Sequence, residues 1–560
     1  MTKDAKRVLI VGGVAGGATC AARLRRLCER AEIVVFDRGP YVSFANCGLP
    51  YYVGDVIRDE GKLLVASAEL FQDRFSIDVR TEHDVLGIDR DRRTIAVKNL
   101  KTGAITEERY DILVLAPGAS AIRPPIPGID LPGIFSVRTI PDSRRVRAWI
   151  ADKNAKSALI VGAGFIGLEM AENLVHRGLH VTVLEKADQV MPPLDAEMAK
   201  PVRSQLESHG VTVRLSDGVK SFATTAEGKI GATTELGGEL AADLVILAIG
   251  VRPEVGLARA AGLAIGPSGG IAVSESMRTS DASIYAVGDA VETLDMVTGA
   301  RQVVPLAGPA NRQGRVAAEA ICGRGTHFRG VQATAVCGVF GMTVASTGAS
   351  EKALQRAGIS DYEKIYLHPG HHVGYYPGAK PIHLKVLFRR SDGRILGAQA
   401  LGEEGVEKRI DVVAMAIQLG GTVHDLSEAE LCYAPQFGAA KDPVNLAGFI
   451  AENVRNGDMP LASWDGVDEA GVLRLDVREP GECQKGVIAG ALNIPLHQLR
   501  SRLAELPKSG PIHVYCAVGQ RAYYAVRLLR QHGFDARELS GGWQTYCTLP
   551  GARLPLGDGP

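Results

Sequence analysis

The sequence predicts an α/β protein of four folding units: two doubly wound parallel-sheet domains, an α+β domain and a small C-terminal α/β domain. Three observations carry this reading. A pattern of strand, glycine turn, helix, strand and acid occurs twice in the first half of the chain. Strand-like alternation mixes with a helical run after residue 330. A turn-rich polar stretch, Arg455 to Pro460, then sets off a last segment with its own strand and helix alternation. Length agrees, since 560 residues at about 150 per domain give about four domains.

In the first copy, Arg7 to Val11 is a short apolar strand, Gly12-Gly13-Val14-Ala15-Gly16-Gly17 the turn, and a helix runs to about Arg30. A second strand, Ile33 to Phe36, ends in Asp37. The second copy runs Ala158 to Val161, Gly162-Ala163-Gly164-Phe165-Ile166-Gly167, a helix to about His176, and Val181 to Leu184 ending in Glu185. Glycines let backbone approach a pyrophosphate, the helix N-terminus offers unpaired N–H groups, and an acid about twenty residues on binds ribose hydroxyls. A single such turn also arises from packing alone. Two with acids in register imply two dinucleotide sites, with Val14 replacing the usual second glycine in the first. Glu185 repels a 2′-phosphate, so NADH is expected over NADPH. Downstream, His383 to Phe388 reads as a strand and Val406 to Leu419 as a helix.

Sixty-three basic residues balance sixty-three acidic ones, so no net field favours nucleic acid or an anionic membrane. No apolar run approaches the length of a membrane span. Lys3, Lys6 and Arg7 before an apolar stretch imitate a leader peptide, but Val8 to Val11 reads better as a strand, and a cytoplasmic location is the expectation. The nine cysteines are odd in number and hold no C-x-x-C pair, which argues against structural zinc and a disulfide framework. No metal is expected, and His371-His372 reads as a surface pair.

With these turns, Leu115-Ala116-Pro117-Gly118, Gly250-Val251-Arg252-Pro253 and Ile284-Tyr285-Ala286-Val287-Gly288-Asp289 resemble the flavoprotein disulfide reductase family over about the first 450 residues. The resemblance implies FAD at Gly12, Ala15, Gly16, Gly17, Asp37, Arg38, Ala116, Gly118, Gly288 and Asp289. It implies NADH at Gly162, Gly164, Phe165, Ile166, Gly167, Glu169, Glu185 and Gly250, with Phe165 a lid over the flavin ring. The expected domains are FAD-binding, 1–118 with 250–325; NAD-binding, 119–249; dimerisation, 330–452; a linker, 453–465; and a last domain, 466–560.

Ser43-Phe44-Ala45-Asn46-Cys47-Gly48-Leu49-Pro50 carries one cysteine where dithiol reductases carry two. A lone thiolate cannot store two electrons as an internal disulfide, so Cys47 must bond to an outside group or become a sulfenic acid. The lone-cysteine branch of the family comprises coenzyme A-disulfide reductases, NADH peroxidases and NADH oxidases. The first is most similar, which implies coenzyme A as substrate or tightly bound ligand. Thr19, Arg23, Arg26, Ser43 and Asn46 would then lie around it, with Asn311 contributed across a homodimer whose active sites lie at the interface. Arg23 and Arg26 share one helix face and suit phosphates. Tyr433 stands where dithiol reductases place an acid–base histidine, and with Tyr375 matches a tyrosine pair that the resemblance places across the dimer interface beside the active sulfur.

Leu475-Asp476-Val477-Arg478-Glu479 and Val514-Tyr515-Cys516-Ala517-Val518-Gly519-Gln520-Arg521 resemble a rhodanese domain. Cys516 would carry sulfane sulfur in a loop of backbone N–H groups, with Arg521 supporting the anion. The other cysteines, 20, 28, 322, 337, 432, 483 and 547, are read as structural. The expectation is an NADH-dependent reductase of coenzyme A persulfide, polysulfide or coenzyme A disulfide. Its rivals are an NADH peroxidase or oxidase cycling through a sulfenic acid, and a redox-sensing sulfur-delivery protein.

Overall fold

The computed structural model describes residues 6–552, so residues 1–5 and 553–560, the ends of the segments 1–118 and 466–560, lie outside it. The chain divides into two compact units, one of residues up to 188 with 210–333, the other of 189–209 with 334 onward.

The first unit holds two parallel five-stranded sheets. One is ordered Ile284–Ala286, Ile112–Leu115, Arg7–Val11, Glu32–Asp37, Asp78–Thr81, with Val8 in register with both Ile33 and Ile112. Its central strand is buried along Val8 to Ile10, which is why it reads as an unbroken apolar run rather than an alternation. The Ile284–Ala286 strand joins this sheet from far downstream, pairing with Leu113 to Leu115. The second sheet is formed by chain in between, ordered Thr212–Arg214, His180–Leu184, Ser157–Val161, Leu244–Leu247, Ile134–Phe135. Each glycine turn therefore opens at the C-terminal end of a central strand, where doubly wound sheets bind their ligands.

The second unit contains a five-stranded antiparallel sheet, ordered Ala335–Val339, Met342–Gly348, Ile395–Gly402, Ile382–Phe388, Glu363–Leu367. Helices Val406–Gln418 and Pro443–Arg455 accompany it. The Ala196–Ser208 helix, expected with 119–249, belongs here instead, because Asp195 and Glu197 ion-pair with Lys385 and Gln205 donates to the Phe340 carbonyl at 2.7 Å. A parallel four-stranded sheet follows, ordered Leu492–Asn493, Leu473–Asp476, Pro511–Tyr515, Asp535–Glu538.

The segment 453–465 differs from the expected open linker. It is helical to Arg455, and Met459, Ala462 and Trp464 are buried. The Ala462 amide donates to the Glu538 carbonyl at 2.8 Å and the Glu538 amide to the Pro460 carbonyl at 2.9 Å, so this stretch lines the edge of the last sheet. Its polar residues read as a spacer in the sequence, but its apolar ones pack.

Candidate active site

The two glycine turns share one geometry. A Cβ at Gly12 would lie 2.0 Å from the Ala116 carbonyl oxygen, and at Gly162 2.4 Å from that of Ala248. At Gly17 and Gly167 it would strike the Gly12 and Gly162 carbonyls at 1.9 and 2.0 Å, so helix and strand pack as only glycine permits. Helices Ala15–Leu27 and Phe165–His176 begin without side-chain caps, leaving their first N–H groups available. The two acids are oriented alike. Asp37 accepts from the Gly13 and Gly39 amides at 2.8 Å, and Glu185 from the Ala163 and Ala187 amides at 2.7 and 2.8 Å. Burial raises the Asp37 pKa, against the pull of the two amides. The pattern fits the diphosphate and ribose of a dinucleotide at each turn. Around the first, Asp289 ion-pairs with Arg138 at 3.2 Å, and the Gly288 amide donates to Gln313 Oε1 at 2.7 Å. Ala116 and Gly118 are half-buried, and Arg38 is exposed with Asp84 at 3.7 Å. Around the second, Ile166 and Gly250 are exposed and Phe165 half-buried.

Cys47 lies in the 3-10 turn Asn46–Gly48 and is exposed. The helix Leu49–Val53 follows directly and touches the helix of the second glycine turn, with Tyr51 donating to Glu169 Oε1 at 3.4 Å and Arg177 donating to the Val53 carbonyl at 3.0 Å. Partial burial of the sulfur pushes the Cys47 thiol pKa up, and the Glu169 and Asp289 carboxylates push it further. Burial likewise raises the Glu169 pKa. Two carboxylates therefore act on this thiol, Asp289 from the segment after the Ile284–Ala286 strand and Glu169 from the helix after the second glycine turn. Ser43 holds a left-handed φ of 47°, and its amide donates to the Gly13 carbonyl at 2.8 Å, which ties the cysteine loop to the first glycine turn.

Of the residues expected around coenzyme A, Thr19 donates to Asn311 Oδ1 at 2.5 Å within this one chain. Arg23 is already bound to Glu319 at 2.5 Å, while Arg26 is exposed and makes no ion pair among the described residues. The two arginines are therefore not equivalent, and Arg26 is the available cation. Asn46 is half-buried at the start of the Cys47 turn.

In the second unit, the Tyr375 and Tyr433 hydroxyls meet at 2.9 Å, both side chains exposed, and this bond raises the Tyr375 pKa. His371 and His372 are not surface residues: they are 6% and 5% exposed, with ring centroids 4.2 Å apart. The Lys380 amide donates to His371 Nδ1 at 2.9 Å, and the buried Arg409–Asp442 pair ties the His371 carbonyl through Arg409 at 2.7 Å.

Cys516 ends the Pro511–Tyr515 strand and is fully buried. Its sulfur accepts from the Gly519 amide at 3.2 Å, an approach that needs the Gly519 φ of +106°. Arg521, in the first turn of helix Gln520–Gln531, is held by both carboxylate oxygens of Glu482 at 2.6 Å, which pulls the Glu482 pKa down to about 2. The sequence reading missed Glu482, whose only signal is its place three residues after Glu479 in a capping pattern. Cys483 donates to Asp476 Oδ2 at 3.5 Å, and burial with that acid pushes its pKa up to about 11, while Cys432 is exposed.

A family model described as pyridine nucleotide-disulphide oxidoreductase matches residues 6–314, its dimerisation domain 334–442, and a rhodanese-like domain 463–548. A coenzyme A disulfide reductase of Staphylococcus epidermidis is 36% identical over 451 residues, spanning 80% of this chain and all of that protein. Among solved structures, reduced CoADR-RHD of Bacillus anthracis is 45% identical with a TM-score of 0.96, covering 98% of this chain and 99% of that one. An NAD-dependent persulfide reductase from A. fulgidus is 39% identical with a TM-score of 0.89, covering 96% and 99%. A water-forming NADH oxidase from Lactobacillus brevis is 28% identical with a TM-score of 0.77, covering 81% and 99%. Among the described residues, no helix is long and apolar enough to cross a membrane.

Proposed function

The chain belongs to the pyridine nucleotide-disulphide oxidoreductase family, and on that premise we propose that it reduces coenzyme A persulfide, polysulfide or coenzyme A disulfide with NADH. It is an oxidoreductase acting on sulfur. The observation that carries the finer reading is the exposed thiol of Cys47, whose pKa Glu169 and Asp289 raise, with no second cysteine in its Ser43 to Pro50 segment. The first turn with Asp37 would hold FAD and the second with Glu185 would hold NADH, which together would supply the two electrons that return a Cys47 mixed disulfide to free thiol. Cys47 thiolate attacks the substrate's S–S bond, forming a new S–S bond to one half and releasing the other as thiolate or hydrosulfide. The hydrogen-bonded Tyr375 and Tyr433, acting across the dimer on the other subunit's site, are the proton source for that leaving sulfur. Arg26, with Thr19, Asn46 and Ser43, holds the coenzyme A end. The working protein is a homodimer, consistent with the matched dimerisation domain.

Cys516 carries sulfane sulfur, and coenzyme A passes it between the two thiols. Steady-state NADH oxidation across coenzyme A persulfide, coenzyme A disulfide, polysulfide, peroxide and oxygen tests this reading. Cys516→Ser is expected to keep coenzyme A disulfide turnover and to lower polysulfide turnover by about tenfold or more. Equal loss on all substrates would refute the relay. Faster turnover of peroxide or oxygen than of any sulfur substrate would favour a peroxidase or oxidase, the reading that the likeness to the Lactobacillus brevis enzyme supports.

Cofactor choice gives a further prediction. Both Glu185 oxygens are fixed by amides, so the charge cannot swing away from a 2′-phosphate. Glu185→Ala is expected to improve the ratio of NADPH to NADH kcat/KM by about tenfold or more. An unchanged ratio means that another group selects.

A further inference from the structure

Glu538 ends the Asp535–Glu538 strand on its buried face, in register with Val514, two residues before Cys516. Its side chain is 3% exposed, and Oε2 has no hydrogen-bond partner among the described residues. A Cβ built at Gly519 would lie 3.0 Å from Glu538 Oε1 and 3.6 Å from the Gly541 amide nitrogen, so the carboxyl and the Gly541 turn both border Gly519. The Gly519 turn puts its amide on the Cys516 sulfur. The Gly541 turn wraps the same loop, with the Trp543 amide donating to the Cys516 carbonyl at 2.8 Å and the Gln544 amide to the Ala517 carbonyl at 3.0 Å. An unpaired buried carboxyl is costly, and an apolar side chain would fill the place at less cost, so stability does not account for it.

We infer that Glu538 is a positioning residue for the Cys516 site: as a neutral acid it packs against the Gly519 turn and leaves the Gly519 amide to the sulfur. Ionised, it competes for the Gly519 amide and repels a sulfur anion. Burial alone drives its pKa well above the usual carboxylate range, with no cation or acid contributing. The titratable groups around it leave it unpaired. Arg521 is bound to Glu482, and His368, 3.1 Å from a Cβ at Gly541, is neutral, its pKa lowered to about 3 by burial. The segment 460–462 brings no titratable side chain.

The inference rests on Cys516 being the sulfur carrier, and its test separates the two. In the flavin-loaded full-length protein, thiosulfate and cyanide give sulfite and thiocyanate. Cys516 takes the sulfane sulfur as a persulfide, and cyanide removes it to restore the thiolate. Taking the rate of each variant relative to wild type at each pH cancels the ionisation of cyanide. Glu538→Gln, always neutral, is expected to match wild type near pH 7 and exceed it about fivefold or more by pH 9.5. Glu538→Ala, lacking that packing, is expected to lose about tenfold at every pH. A flat ratio for Glu538→Gln, or a loss equal to that of Glu538→Ala, overturns the inference. If wild type forms no thiocyanate, the carrier reading fails and the infrared spectrum decides the remainder. A carboxylic-acid C=O band present at pH 8 in wild type and absent in Glu538→Gln supports a neutral Glu538, and its absence from wild type overturns it.

Discussion

Cys47→Ser is expected to abolish NADH-dependent reduction of coenzyme A persulfide and disulfide, by at least about 10³-fold, while the yellow flavin chromophore is retained. The loss follows from chemistry: a serine hydroxyl neither ionises near neutral pH nor forms a bond to sulfur that a reductant can cleave. Retention follows from placement, since the groups assigned to FAD are the Gly12 to Gly17 turn, Asp37 and the Gly288–Asp289 pair, none of which bonds to the Cys47 side chain. The same site sets a pH dependence. Burial, Glu169 and Asp289 all favour the protonated thiol over the reactive thiolate. In protein stripped of flavin, alkylation of Cys47 by iodoacetamide should therefore rise about tenfold per pH unit from pH 7 to 9. Glu169→Gln, which removes one opposing charge, should raise the rate at pH 7. Full turnover by Cys47→Ser, or a pH-independent alkylation rate, would remove Cys47 from its assigned role.

Much of this was legible in the sequence, and the reason is locality. Asp37 and Glu185 each lie one strand–turn–helix–strand unit from the amides they accept, so one repeating pattern gives both the fold and the contact. The same holds for Cys516 and Gly519, three residues apart. What escaped was non-local. Lys385, Asp195, Glu197 and Glu351 each look like a solvated charge in its own segment, and only the fold brings them together. Glu538 sits in an Asp-Ala-Arg-Glu strand of mostly charged residues, yet its alternation places it inside. His371-His372 reads as surface because histidine pairs usually are, but Arg409 fixes the His371 carbonyl from 38 residues away. Arg23, read with Arg26 as a free pair, is taken by Glu319.

That buried ion cluster carries the largest expected effect on stability. Asp195, Glu197 and Glu351 place carboxylate oxygens within 4.8 Å of one another, a spacing that suits a metal ion, but Lys385 Nζ bonds all three at 2.8, 2.5 and 2.5 Å. Lys385 is fully buried. Burial works to lower its pKa, and Tyr366 with the three acids outweighs that and raises it. Burial likewise works to raise the Glu351 pKa, and Lys385 with Lys364 holds it below the usual range. Replacing the ammonium by an apolar chain of similar length, Lys385→Met, leaves Glu351 to Lys364 and strands Asp195 and Glu197, which Tyr366 and Gln399 cannot neutralise. Removing one partner of a buried ion pair costs about 3–5 kcal/mol. At about 2–4 °C per kcal/mol for a unit of this size, the unfolding transition of the second unit should fall by roughly 10 °C. The sign with pH is distinct. In wild type the raised lysine pKa gives a contribution that is complete at neutral pH and lost only on rising through the folded pKa. In Lys385→Met the orphaned carboxyls have folded pKa values raised above their unfolded ones, so the fold binds more protons than the unfolded chain and stability falls as pH rises. The deficit should shrink toward pH 5 and grow toward pH 8. Calorimetry of both proteins across that range checks it: a transition within a degree of wild type at pH 8, or a deficit that widens on acidification, would show that the ammonium is not what holds these acids.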